Sequence, residues 1–213
     1  MKIITERLGR NDAGFTLVEV VVTMVIIGVL GLSAAYLSIR GTQTSSSQQR
    51  ASLGMTVAVQ AMEDVIARQA QTEPSTGVTA LVTGRHSAAV TSAWQSSSDH
   101  VIAQSMYPLV DSAAAASATP RVPITATRTL DGTNFTVVTL IGSCYRASAS
   151  GACATIVGLP NRPTTPPTGR FEAIRVAVIV EWTAGSGCSN DPCSYELVTL
   201  IDTNLDNEWL TNG

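Results

Sequence analysis

The sequence predicts an α+β fold: a long N-terminal helix, apolar in its first half and amphipathic in its second, packed on a small antiparallel β-sheet. Three observations predict it. The run from Phe15 to Ile39 is apolar apart from one acid, Glu19, and a few small hydroxyl side chains. A helical pattern then continues in a more polar register to about Gln71. Beyond residue 120 the pattern becomes β-rich runs separated by turn residues, which places the sheet after the helix.

The apolar run holds 25 residues, and a helix needs only about 20 to cross a bilayer. Arg40 ends it. The flank before it, "MKIITERLGRNDAG", sets Lys2, Arg7 and Arg10 against Glu6 and Asp12. That positive excess favours a cytoplasmic N-terminus, with the rest of the chain outside. A secretory signal would have a shorter core and an A-x-A-like cut, and "GLSAAYLSIRG" fits that poorly. A plain membrane anchor accounts for everything except Glu19. A carboxylate in a membrane helix costs several kcal/mol unless it is neutralised or paired.

In the polar half of the helix, Met55, Val59, Met62 and Ile66 recur at spacings of four, three and four. That spacing makes one face, predicted to lie on the sheet. Glu73-Pro74 supplies the stop, because a residue before proline is pushed out of the helical region. Gly28, Gly31, Gly41 and Gly54 are points where the helix is expected to bend or loosen, each at about 1 kcal/mol relative to alanine.

Residues 74–120 are rich in Ser, Ala and Thr, with "WQSSSDH" and "DSAAAASATPR" reading as loop punctuation. "HVIAQSMYPLV" fits a short helix or a strand equally well. Trp94, His86 and His100 read as packing and surface residues. The sheet is clearer. "VPITATRTL" and "FTVVTLIGSCYR" flank Asp131-Gly132, a strong hairpin cue. "RFEAIRVAVIVEWT" alternates, with Ile174, Val176, Val178, Val180 and Trp182 on one face and Arg175, Ala177, Ile179 and Glu181 on the other. "SYELVTLIDT" pairs back after "AGSGCSNDPC". The proline-rich "GLPNRPTTPPTGR" is expected to connect two hairpins, giving about four strands.

The cysteines are Cys144, Cys153, Cys188 and Cys193. Four cysteines allow three pairings, and spacing alone does not choose between them. Local pairs, Cys144 with Cys153 and Cys188 with Cys193, are the simplest, since each brackets a Gly/Ser/Asn-rich stretch. A zinc site would want closer spacing or nearby histidines. Disulfides imply an extracytoplasmic compartment.

Catalytic motifs are absent from the sequence: no nucleophile elbow, phosphate loop, H-E-x-x-H or C-x-x-C occurs. The expectation is a non-enzyme. Net charge is −3 with scattered basic residues, so there is no electrostatic footprint that would argue for nucleic acid. "DTNLDNEW" holds Asp202, Asn204, Asp206 and Glu208, half of an oxygen-ligand calcium set. Asn207 replaces the loop glycine and Gly213 the closing glutamate. Calcium is therefore a weak expectation, and no firm metal site or other cofactor is expected.

The charged leader, the Gly14-Phe15 junction, "T-L-V-E" and the apolar run stand in one register. Together they resemble the N-terminus of type IV pilins and pseudopilins. The resemblance covers residues 9 to about 40 and implies a leader at 1–14, removed by prepilin peptidase after Gly14. It implies N-methylation of Phe15, a transmembrane and assembly helix at 15–39, and an extracytoplasmic pilin-like domain at 40–213. Glu19 would be an assembly residue, its carboxylate meeting the Phe15 amine of a neighbouring subunit. In an apolar core such a pair disfavours wrong registers more than it adds stability. The kinking proline that many pilins carry in the apolar half is absent. The implied function is a structural subunit of a type IV pilus, a minor one given its large, loop-rich domain. The alternative is a pseudopilin of a type II secretion system, some of which hold calcium near the C-terminus. The implied partners are other pilin subunits, prepilin peptidase, the membrane assembly machinery and, before assembly, the lipid bilayer. The mature protein would reach the cell surface.

Overall fold

The structure, a computed structural model, describes residues 16–70, 77–147, 151–183, 188 and 192–201. Helix α1 runs Leu17–Ala70. The chain divides into two units, the first ending at Ser46 and the second beginning at Ser47. In the first unit every described side chain is exposed.

In the second unit, the remainder of α1 is followed by three short helices: α2 (Gly77–Val82), α3 (Ser87–Ser96) and α4 (Val101–Gln104). Five strands follow: β1 (Tyr107–Pro108), β2 (Thr125–Leu130), β3 (Thr133–Arg146), β4 (Phe171–Trp182) and β5 (Cys193–Ile201). All pairings are antiparallel, in the order β1-β3-β4-β5, and β2 shares with β1 the same side of β3. The Asp131-Gly132 cue is realised as a two-residue turn between Leu130 and Thr133. Both residues take positive φ, 49° and 71°, as a type I′ turn requires.

The α+β architecture stands as expected, with differences in detail. Four strands were expected and there is a fifth, β1, because "HVIAQSMYPLV" contains both a helical turn and a strand. The proline-rich stretch does not separate two hairpins: β3 and β4 pair from Phe135↔Trp182 to Arg146↔Phe171. It is therefore a long loop between adjacent strands. The segment expected to be loop carries α2 and α3, and together with α4 they change the layering. One sheet face packs Val176, Val178, Val180 and Trp182 against Val57, Ala61, Met62 and Val65 of α1. The other packs Val138, Leu140, Ala177 and Ile179 against Val90, Ala93, Ala103 and Met106. Burial on both faces explains why β3 and β4 read as nearly continuous apolar runs.

The stripe assigned to α1 is corrected too. Of Met55, Val59, Met62 and Ile66, only Met62 is buried; the other three are 39–48% exposed. The face on the sheet is Gly54, Val57, Ala58, Ala61, Met62 and Val65. Small residues there let the helix backbone come close to the sheet, and the larger side chains turn to its flank. Gly54 is accordingly a contact point in an unbroken helix rather than a place where it loosens.

Arg85 ties the helical segment to the sheet. Its side chain is fully buried, and its guanidinium donates to Val122 O at 3.0 Å and Thr139 O at 2.6 Å. Thr139 lies on β3 between the stretches paired with β2 and β1, so the guanidinium occupies the gap that those two strands leave. No carboxylate pairs with it among the described residues, and burial pulls its pKa down to about 10.

Candidate functional site: an exposed apolar helix with one acid

The N-terminal half of α1 has the properties of an assembly surface. Leu17, Met24, Ile27, Leu32 and Leu37 are each at least two-thirds exposed. The helix is long and apolar enough to cross a membrane. Two of its hydroxyls bond back into the helix: Thr23 donates to Val20 O and Ser33 to Val29 O. Such back-bonding makes them tolerable where no water is available. At the far end Arg40 donates to Tyr36 Oη at 3.1 Å and stacks over its ring at 5.3 Å. An amphipathic aromatic beside a basic side chain suits the boundary between apolar and aqueous surroundings.

Glu19 lies in the first turn and is exposed. Its N–H donates to Thr16 Oγ1 at 3.3 Å and to Thr16 O at 3.0 Å. Thr16 is thus the cap, and T-L-V-E is half of a capping box, a pattern readable in the sequence but missed there. The acid also sits at the positive end of the helix dipole. Local structure therefore accounts for an acid at this position in the free chain, and its carboxylate has no hydrogen-bonding or ionic partner among the described residues. Gly14 and Phe15 lie outside the described residues, as do Asp202, Asn204, Asp206 and Glu208.

Residues 9–35 match the model of the prokaryotic N-terminal methylation motif. The chain carries the type IV pilin and pseudopilin signal. The signal implies processing by prepilin peptidase and assembly with other pilins, and it indicates a structural subunit. With one apolar N-terminal helix, it fits a single-pass membrane protein. Neither a curated protein nor a solved structure matches the chain. The pilin signal therefore speaks for the helix, and the second unit has to be read from its own geometry.

In that unit both local cysteine pairs are disulfides, Cys144–Cys153 and Cys188–Cys193. The first lies within the second core layer. The second links the β4–β5 connection to the first residue of β5, the hairpin-tip position expected for it. A second polar cluster fixes the proline-rich loop to the sheet. Arg162 makes two hydrogen bonds to Glu172, at 2.7 and 3.1 Å. Burial raises the Glu172 carboxyl, but the hydrogen bonds and charge of Arg162 outweigh it and hold it below its ordinary range.

An open groove of about 470 Å³ runs between α3 and residues 118–125. Its one ionisable lining residue is His86, whose Nδ1 accepts the Ala89 N–H and caps α3. Trp94 donates to Ala103 O at 3.1 Å. Both residues serve packing, as expected. His100 does not fit that reading: its ring stands between Glu181 on β4 and Glu196 on β5. Nothing local in the sequence signals this, because the partners are 81 and 96 residues away.

Proposed function

We propose that the chain is a minor pilin of a type IV pilus, cut after Gly14, methylated at Phe15 and built into the filament through its N-terminal helix. The observation that carries this reading is the exposed apolar helix with Glu19 in its first turn, directly within the methylation motif. Before assembly the bilayer covers that surface; afterwards the helices of neighbouring subunits do. Glu19 then meets the Phe15 amine of a neighbour, which sets the axial register. The basic leader supports an N-terminus held in the cytoplasm, and the two disulfides support an oxidising compartment for the second unit. A domain covered on both sheet faces is large for a repeating building block, which favours a minor subunit.

Mass spectrometry of sheared filaments beside the membrane fraction tests this. An N-methylated peptide beginning at Phe15, present in filaments at low abundance, is the expected result. The same peptide confined to the membrane moves the assignment to a secretion pseudopilus. A chain that begins at Met1 in every fraction overturns it.

A further inference from the structure

His100 immediately precedes α4, and its side chain is 12% exposed. Nε2 lies 3.3 Å from Glu181 Oε1, and Nδ1 is in hydrogen-bond contact with Glu196 Oε1. The two glutamates project from the same sheet face on neighbouring strands, since Glu196 pairs with Ile179 and Glu181 with Ser194. The ring joins the start of α4 to both β4 and β5.

Protonation follows from this geometry. An ionised carboxylate only accepts, and a neutral imidazole has one N–H and one lone pair. Neutral His100 would satisfy one glutamate and turn a lone pair toward the other. Only the imidazolium donates to both. Among the described residues, Arg175 is the other charge on this face of β4, and it is engaged at the far end of α4, where it donates to Ser105 Oγ at 2.6 Å. Neither α3 nor α4 contains an ionisable side chain. β3 and β5 place Thr136 and Ser194 beside Glu181, and Asp99 adjoins His100 in the chain. The carboxylates take opposite nitrogens, so the three groups do not converge on a metal, and no metal-holding cluster occurs among the described residues.

We propose that His100 is a pH-sensitive latch that holds the α4 end of the helical cover on the edge of the sheet and releases it when its proton is lost. Burial disfavours the charged ring, but the hydrogen bonds and charges of Glu196 and Glu181 outweigh it and raise the pKa above its ordinary value. A raised folded value fixes the sign. The stabilisation is fully present below the free value near 6.5 and is lost as pH rises through the latched value. Release would loosen α4 and with it the cover over Ala177 and Ile179 on that sheet face.

The test uses the full chain in detergent micelles. The sequence has two histidines, so an NMR titration beside His100→Gln assigns both. His100 is expected to titrate above 6.5. Hydrogen exchange over residues 101–106, corrected for intrinsic rates, is expected to lose roughly threefold to tenfold protection between pH 6 and 8.5. In His100→Gln and in Glu181→Gln/Glu196→Gln the loss should vanish. A His100 midpoint at or below 6.5 overturns the latch, as does an unchanged pH dependence in the double variant. Where His100→Gln fails to fold, His86→Gln supplies the assignment, and the wild-type titration still decides.

Discussion

Gly54 of the long helix lies against the indole of Trp182. A Cβ on Gly54 would stand 2.7 Å from Trp182 Cζ3. Trp182 is itself held by Phe135, its cross-strand partner, with ring centroids 5.8 Å apart. The contact therefore sets how closely α1 approaches the sheet. Gly54→Ala gains about 1 kcal/mol of helix propensity and loses about 1–3 by overpacking, for an expected net loss near ~1 kcal/mol. Gly54→Leu should lose about 3 kcal/mol. Denaturant melts of the two variants check the order. A more stable Gly54→Leu would remove the close-approach reading.

Arg85 donates to two buried backbone carbonyls, Val122 O and Thr139 O. Arg85→Met removes both donors and leaves Val122 O and Thr139 O unsatisfied, while relieving the cost of a buried charge. The expected balance is a loss of about 2–4 kcal/mol, with the gap between β1 and β2 exchanging its amides first. Unchanged exchange at Thr139 and Leu140 would show that the guanidinium holds nothing together.

The two disulfides should differ toward reductant. Cys144 and Cys153 are both buried, whereas Cys188 is exposed. Under mild dithiothreitol, differential alkylation should label Cys188 and Cys193 well before Cys144 and Cys153. Removing the buried bridge, which closes a separation of nine residues, should cost roughly 2–3 kcal/mol. Simultaneous labelling of all four would count against this order.

Glu172 supplies an acid-side signature. Its carboxyl is held below its ordinary value in the folded protein. The stability it contributes is therefore present above the unfolded value near 4.3, and it disappears as pH falls through the lower folded one. Because Arg162 and Glu172 are partly exposed, the effect is at most about 1 kcal/mol. Melts at pH 7 and pH 3 should show a smaller acid loss for Glu172→Gln than for the wild type. Identical losses would mean that the ion pair is energetically silent.

Glu19→Gln keeps the side-chain length and the Thr16 cap but removes the charge. Processing after Gly14 should continue and incorporation into filaments should fall at least tenfold. Gly14→Ala should leave the leader attached. Quantitative blots of filament and membrane fractions report both results, and normal incorporation of Glu19→Gln would remove the register role.

The outline of the fold was legible because its signals are local. The apolar run gives the start of α1 to within a residue or two, whereas the stop expected at Glu73-Pro74 lies outside the described residues. Alternation gives β4, and Asp131-Gly132 gives the β2–β3 turn through its positive φ. The short cysteine loops gave the right pairing because each closes on neighbouring chain. The pilin signal was legible for the same reason, as a contiguous pattern.

What was misread depends on partners far away in the chain. The sequence by itself determined where the apolar helix begins and which segments form β2 to β5, but not the helices between residues 77 and 96. Only the tertiary structure decided that Gly54, Ala58 and Ala61 face the sheet while Met55, Val59 and Ile66 do not. It also decided that α3 and α4 cover the second sheet face, and that Arg85 and His100 fasten that cover. Periodicity reports that a face exists, at 3.6 or 2 residues per repeat. Which face is buried depends on how closely two backbones approach. Which polar groups meet depends on a register set across more than 50 residues of intervening chain.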